Sequence, residues 1–239
     1  MAPIIHLVRH AEGYHNACDW GEKIHDPFLT DKGKGQCEEL CRKFTQHDEI
    51  DLLVASPLKR TIQTCQIVFA PVVERGQKIL LMPLAEETSD EPMDTGSDEP
   101  TLREAYGDLI DTSLLKEHPG WNSNSDAFTP DTPSLIDRAA KLREWLRKRP
   151  EKNIAVVSHG SFAHFIVGNI DHQGEQITRM WDNAECRSYA FLSDEDDVCQ
   201  LRELDESKAG RRDLEKKGEG YVLCVEGGRR GSAGSPISA

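Results

Sequence analysis

Three short apolar runs in this chain each stop dead at a cluster of polar, mostly basic residues, and this repeated ending constrains the fold more than any other feature. Ile4 to Val8 runs into Arg9-His10-Ala11-Glu12-Gly13, Asp51 to Ala55 into Ser56-Pro57-Leu58-Lys59-Arg60, and Ile154 to Val157 into Ser158-His159-Gly160. Runs of this length and composition are buried strands. Helical spacing follows each of them. Thr30 can cap a helix carrying Cys37, Leu40, Cys41 and Phe44, while Leu58, Ile62, Cys65 and Phe69 share a second helical face. Thr132-Pro133 supplies a cap and an N1 proline for a third, with Leu135, Ala139, Leu142 and Leu146 as its stripe and Pro150 as its stop. Phe162 to Val167 forms a fourth. Strands alternating with helices predict an α/β fold, a three-layer α/β/α sandwich around a mostly parallel sheet.

Lys78 to Met82, Arg187 to Leu192 and Tyr221 to Val225 are further strand candidates, and Thr101 to Leu115 reads as a helix. Between Glu86 and Glu99 lie seven acidic residues and no basic one, broken by Pro92 and Gly96, so the stretch around 84–100 is expected to be an irregular acidic loop or lid. Arg202 to Glu219 mixes both charge signs without an apolar stripe. Residues 1–226 are expected to form one catalytic domain, and 227–239 a disordered tail low in core-forming side chains.

A chain of 239 residues with 29 basic and 42 acidic side chains carries a formal charge of -13. That field disfavours nucleic acid as a partner. No run approaches the ~20 apolar residues of a membrane span, so no membrane association is expected. Seven cysteines, an odd number without a CxxC pair, fit a reducing, cytoplasmic setting better than a disulfide framework or a zinc site. The opening residues lack the basic region and long apolar segment of a signal peptide.

In an acidic protein, basic groups at three strand exits form an anomaly. The carboxyl ends of parallel strands share one edge of the sheet, where ligands bind, so Arg9, His10, Arg60 and His159 can converge although about 150 positions separate the first from the last. Guanidinium groups present paired donors to phosphate oxygens, and a neutral imidazole can attack phosphorus. The ligand implied is a small anion, most simply a phosphoryl group.

Leu7-Val8-Arg9-His10-Ala11-Glu12 with Asn16 beyond it, Asp26-Pro27-x-Leu29-Thr30-x-x-Gly33, Ala55-Ser56-Pro57-Leu58-x-Arg60-Thr61-x-x-Thr64 and Val156-Val157-Ser158-His159-Gly160 occur in that order. This set resembles the histidine phosphatase superfamily, the phosphoglycerate mutase-like proteins, over about residues 3 to 192. The resemblance implies that His10 is the nucleophile that becomes a phosphohistidine. It further implies that Arg9, Arg60 and His159 form the phosphate pocket, with Asn16 helping to hold the substrate. Ser158 and Gly160 beside His159 are further substrate-contact candidates, and His159 is expected to be protonated so as to offset phosphoryl charge. Ala11 stands where the family commonly has glycine, and its methyl group should tighten the loop. No cofactor and no metal are needed if the cations offset the phosphoryl charge.

A proton donor for the leaving oxygen should come from the acidic loop, where Glu86, Glu87 and Asp90 are the candidates, with Glu12 more distant. The stretch Glu87-Thr88-Ser89-Asp90-Glu91-Pro92-Met93-Asp94-Thr95-Gly96 is similar to a small-molecule phosphatase branch whose first glutamate donates the proton, which favours Glu87 and leaves Glu86 as a substrate contact. The activity implied is hydrolysis of a small phosphomonoester. A phosphoglycerate-type mutase would use the same residues, although the chain lacks the tryptophan-rich segment of those mutases near the acid. A fold repurposed for non-phosphoryl acid/base chemistry and an inactive scaffold are the other readings.

Overall fold

The computed structural model describes residues 2–193 and 198–209. The strand expected at Tyr221 to Val225, the tail at 227–239 and most of the charged segment 202–219 lie outside the described residues. Seven strands form one sheet: β1 (Ile4–Arg9), β2 (Leu52–Ala55), β3 (Ile79–Leu81), β4 (Ile110–Asp111), β5 (Asn153–Ser158), β6 (Cys186–Phe191) and β7 (Leu201–Glu203), in the order β4-β3-β2-β5-β1-β6-β7. The first five run parallel, while β6 is antiparallel to β1 and β7 to β6. The mostly parallel α/β sandwich read from the sequence is the observed one.

Helices α1 (Asp31–Lys43), α2 (Lys59–Val68) and α3 (Ala70–Glu74) follow β1 and β2; α4 (Glu99–Tyr106) precedes β4; α5 (Thr132–Arg147) and α6 (Gly160–Val167) flank β5; and α7 (Asp205–Ala209) follows β7. The chain steps one way through the sheet from β2 to β4 and then returns to insert β5 beside β1. Right-handed crossovers therefore put α1 and α2, which pack together, on one face and the packed pair α5 and α6 on the other. Ile5, Leu7, Leu53, Val54, Val156 and Val157 are wholly buried between these layers. The point where the winding reverses lies between β1 and β5, and it is at such a point, beyond the carboxyl ends of the strands, that open α/β sheets hold their ligand crevice.

Two expectations change in detail. The helix read over Thr101 to Leu115 stops at Tyr106, because Gly107 turns at φ +52° and the chain then pairs Ile110 with Ile79 as an edge strand. Asp131, not Thr132, caps α5, its carboxylate accepting from the Ser134 N–H at 3.0 Å. The acidic stretch is irregular and packed inward: Glu86, Asp94, Gly96 and Ser97 are buried, and between Glu86 and Glu99 only Asp90, Glu91, Pro92 and Asp98 are exposed. It belongs to the core because its acidic side chains and backbone carbonyls bind buried cations. Thr30 caps α1 as expected, accepting from the Gly33 N–H at 3.0 Å.

Candidate active site

Strand register assembles the centre of the site. Arg9 of β1 lies opposite Ser158 of β5, so His10 and His159, one residue further on, emerge side by side with ring centroids 5.2 Å apart. The His10 N–H donates to the Ser158 carbonyl at 2.9 Å and closes the ladder beneath them. Both imidazoles are essentially buried. Burial first, then the nearby Arg60, pushes each of them well below the ordinary imidazole range, so both rings are neutral near neutral pH.

The two tautomers follow from their partners. Nδ1 of His10 lies 2.7 Å from the Ala11 carbonyl, which can only accept, so Nδ1 carries the proton and Nε2 the lone pair. For His159 the assignment is reversed. An Arg60 guanidinium N–H donates to its Nδ1 at 3.0 Å, which leaves Nε2 to donate to the Ser56 hydroxyl at 2.9 Å. The protonated His159 expected from the sequence is thereby corrected: two buried cations 3.0 Å apart would repel, and burial removes the water that could screen them.

Arg60, at the start of α2, is wholly buried. Its guanidinium donates to the Met93 carbonyl at 2.5 Å and to the Asp94 carboxylate at 2.7 Å, besides His159. Asp94 in turn accepts from the Ser89 hydroxyl at 2.5 Å. Arg9 reaches the same crevice from β1 and donates to the Trp181 carbonyl. Among the described residues the Nε donors of Arg9 and Arg60 are buried without a hydrogen-bond partner, which leaves donor capacity for an oxyanion. Gly160 makes room for Arg9, since a Cβ at that position would lie 2.9 Å from Arg9 Nε.

Glu87 occupies the amino end of α6. Its Oε1 accepts from the backbone N–H groups of Phe162 at 2.9 Å and Thr88 at 3.0 Å, and Oε2 has only a longer contact with the Ser161 N–H at 3.4 Å. Desolvation, reinforced by Asp94, nevertheless raises its pKa to about 7. A carboxyl poised there can both give and take a proton at neutral pH. Glu86 points elsewhere. Both of its oxygens are buried without a partner among the described residues, and burial pushes its pKa well above the carboxylate range although Arg138 opposes this. A neutral, enclosed carboxyl does not fit the substrate contact expected of Glu86.

The remaining sequence candidates divide between rim and frame. Asn16 is exposed at the mouth, its amide oxygen accepting from the Gly13 N–H at 3.2 Å and facing Asn183, which itself donates to the His10 carbonyl. Ser158 is wholly buried and its hydroxyl is committed to the Ala85 carbonyl at 2.7 Å, so it braces the loop that carries Glu87 and does not face a substrate. Glu12 bonds Thr30 and Lys32, which removes it from the proton-donor candidates, and Asp90 is exposed on the outer turn.

Sequence reasoning missed three residues. Asp94, the counter-ion of Arg60, was hidden as one of seven acidic residues in its stretch. His15 stacks at a tilt 5.3 Å from His10, and burial with the adjacent arginines lowers its pKa to about 3. Asp26, in the left-handed region at φ 42°, accepts from the backbone N–H groups of Lys59 and Ser97 at 2.9 and 3.0 Å and joins α2 to the acidic loop. Its place before Pro27 in the second motif was the available signal. Among the described residues no group of three or more His, Cys, Asp or Glu side chains is placed to hold a metal ion. Nor is any described helix long and apolar enough to cross a membrane, and the six described cysteines are free.

Residues 5–205 match the family model of the histidine phosphatase superfamily, branch 1. The chain belongs to that superfamily, whose relatives support a phosphatase or mutase-like activity. It is 30% identical over 164 residues to a probable phosphatase of Schizosaccharomyces pombe, covering 65% of this chain and 73% of the relative. A phosphoglycerate mutase-like protein of Arabidopsis thaliana is 27% identical over 235 residues, covering 79% and 84%. The fold matches a mycobacterial glucosyl-3-phosphoglycerate phosphatase complexed with VO3 at TM-score 0.53 and 17% identity, over 84% of this chain and 97% of that one. It also matches the ecdysone phosphate phosphatase of Bombix mori in complex with tungstate, at TM-score 0.58 and 15% identity over 79% and 89%.

Proposed function

We propose that the protein is a cytoplasmic hydrolase of a small phosphorylated metabolite, working through a phosphohistidine and without a metal. The observation that carries this reading is the Nδ1–H of His10 donating to Ala11, which aims a neutral Nε2 lone pair into a crevice bordered by Arg9 and Arg60. Nε2 attacks phosphorus in line, the bond from phosphorus to the ester oxygen breaks, and Glu87 gives its proton to the departing alkoxide. Water then attacks the phosphohistidine, the Glu87 carboxylate takes its proton, and inorganic phosphate leaves while His10 returns to its starting tautomer. Arg9 and Arg60 offset the charge on the equatorial oxygens, and His159 acts by holding the Arg60 guanidinium in direction.

Hydrolysis is favoured over phosphoryl return because the acid-bearing loop resembles the phosphatase branch and lacks the mutase tryptophans. Relatives named as phosphoglycerate mutase-like keep the mutase as the second reading. Rapid alkaline quench with a labelled phosphomonoester should trap one base-stable, acid-labile phosphoryl group per chain on His10 in the native protein and none in His10→Ala. Turnover without a trapped phosphoenzyme, under conditions that detect stoichiometric label, would overturn the mechanism. Phosphoryl transfer back to a bound acceptor without release of inorganic phosphate would select the mutase.

A further inference from the structure

Among the described residues the exposed large apolar side chains are Tyr14, Trp20, Phe28, Met180 and Leu192, and the first three line one cavity. Trp20 is 61% exposed, Tyr14 51% and Phe28 44%, so this is apolar surface held open to water, not a flank of the core. Ala17, Ile24 and Pro27 complete its apolar lining, and its volume is about 470 Å³, within the range of small-ligand sites. Two chain neighbours join it to the phosphate crevice. Tyr14 precedes His15, whose ring lies against His10, and Lys59, which also lines the cavity, precedes Arg60.

Three polar side chains of the cavity, Lys59, Asp26 and Cys18, already have partners. Lys59 places its ammonium 5.1 Å from the centre of the Phe28 ring and 3.7 Å from the Asp26 carboxylate. Asp26 has both oxygens on backbone N–H groups. The Cys18 thiol faces the Tyr14 carbonyl at 3.5 Å. A flat apolar body entering here would cover three aromatic rings, a gain that a polyhydroxylated or doubly anionic leaving group would not make.

We infer that this cavity is the leaving-group subsite, and that the substrate is the phosphomonoester of a compact alcohol or phenol carrying an apolar ring system. The inference rests on the phosphoryl group being held at His10, as proposed above, and adds the identity of what is attached to it. Its energetic source is apolar area removed from water, so it acts mainly on binding and much less on the chemical step.

Calorimetric titration of the full chain with two non-hydrolysable ligands tests it separately from turnover. Naphthylmethylphosphonate should bind at least about tenfold more tightly than methylphosphonate. Trp20→Ala and Phe28→Ala should each reduce that ratio severalfold, and Trp20→Phe should restore most of it, with circular dichroism confirming the fold of each variant. Equal affinities, a ratio untouched by the double alanine variant, tighter binding of dihydroxypropylphosphonate, or no binding of either probe would overturn the subsite. A phosphotyrosyl peptide mimic binding more tightly than naphthylmethylphosphonate would also overturn it, by transferring the cavity to a protein side chain. If the naphthyl preference holds while naphthyl phosphate is not turned over, the subsite stands and the hydrolase reading fails.

Discussion

The Asp94 carboxylate lies 2.7 Å from the Arg60 guanidinium, with the two side chains only 3% and 1% exposed. A buried pair of this kind adds little net stability over an apolar pair, yet losing one member strands the other as an unpaired charge. Asp94→Ala is therefore expected to cost about 3 kcal/mol of unfolding free energy in denaturant titration. Because Arg60 also loses its anchor, turnover should fall roughly tenfold even where the variant is fully folded. Asp94→Asn, which keeps an acceptor without the charge, should be intermediate in both measurements. A variant as stable and active as the native protein would show that Met93 and His159 hold Arg60 by themselves.

The pH dependence of phosphoryl transfer follows from two shifts of opposite consequence. Glu87 must be protonated to donate, and with its pKa raised to about 7 the single-turnover rate should decline as pH rises through 7. His10 must be neutral to attack, and because its pKa is depressed the acid limb should appear only well below the ordinary imidazole value of 6.5. An acidic-to-neutral plateau is expected. Glu87→Gln should remove the alkaline limb and slow alkyl phosphates about 100-fold, with a much smaller effect on activated aryl phosphates, whose leaving groups need no proton. If the leaving-group-dependent defect appears in Glu86→Gln and not in Glu87→Gln, the two glutamates exchange roles.

Gly160 tests the positioning of Arg9 without touching any charged group. A methyl group there would lie 2.9 Å from Arg9 Nε and from the Met180 sulfur. Gly160→Ala should lower kcat/KM about tenfold by displacing the guanidinium, while thermal melting stays close to native because alanine suits the first turn of α6 at least as well. A catalytically normal Gly160→Ala would mean that Arg9 has no defined place in the phosphate pocket.

Charge compensation by arginine predicts that activity survives exhaustive chelation. Dialysis against a chelator, followed by assay in metal-free buffer, should leave the single-turnover rate within about twofold of its starting value. Loss restored stoichiometrically by magnesium or zinc would assign the electrostatic stabilisation to an ion.

What the sequence determined by itself is local. A strand announces itself in five or six consecutive apolar residues, and a cap in the residue beside the first turn, so β1, β2, β5, α1 and the polar groups at the strand ends were legible without coordinates. Parallel strands must share a carboxyl edge, and that single topological rule was enough to gather Arg9, His10, Arg60 and His159. The tertiary structure decided whatever depends on separations in space. Arg60 meets Asp94 34 positions away and His159 99 positions away, and burial first, then that contact, renders His159 neutral. Glu86 and Glu87 are adjacent and chemically identical in sequence. Glu86 has extended backbone at φ -67° and ψ 168°, so successive side chains leave on different sides. One is sealed in the interior near Arg138, and the other reaches the end of α6 beside the site. Protonation state and direction are set by the surrounding dielectric and by partners brought in from distant segments, and no run of neighbouring residues encodes either.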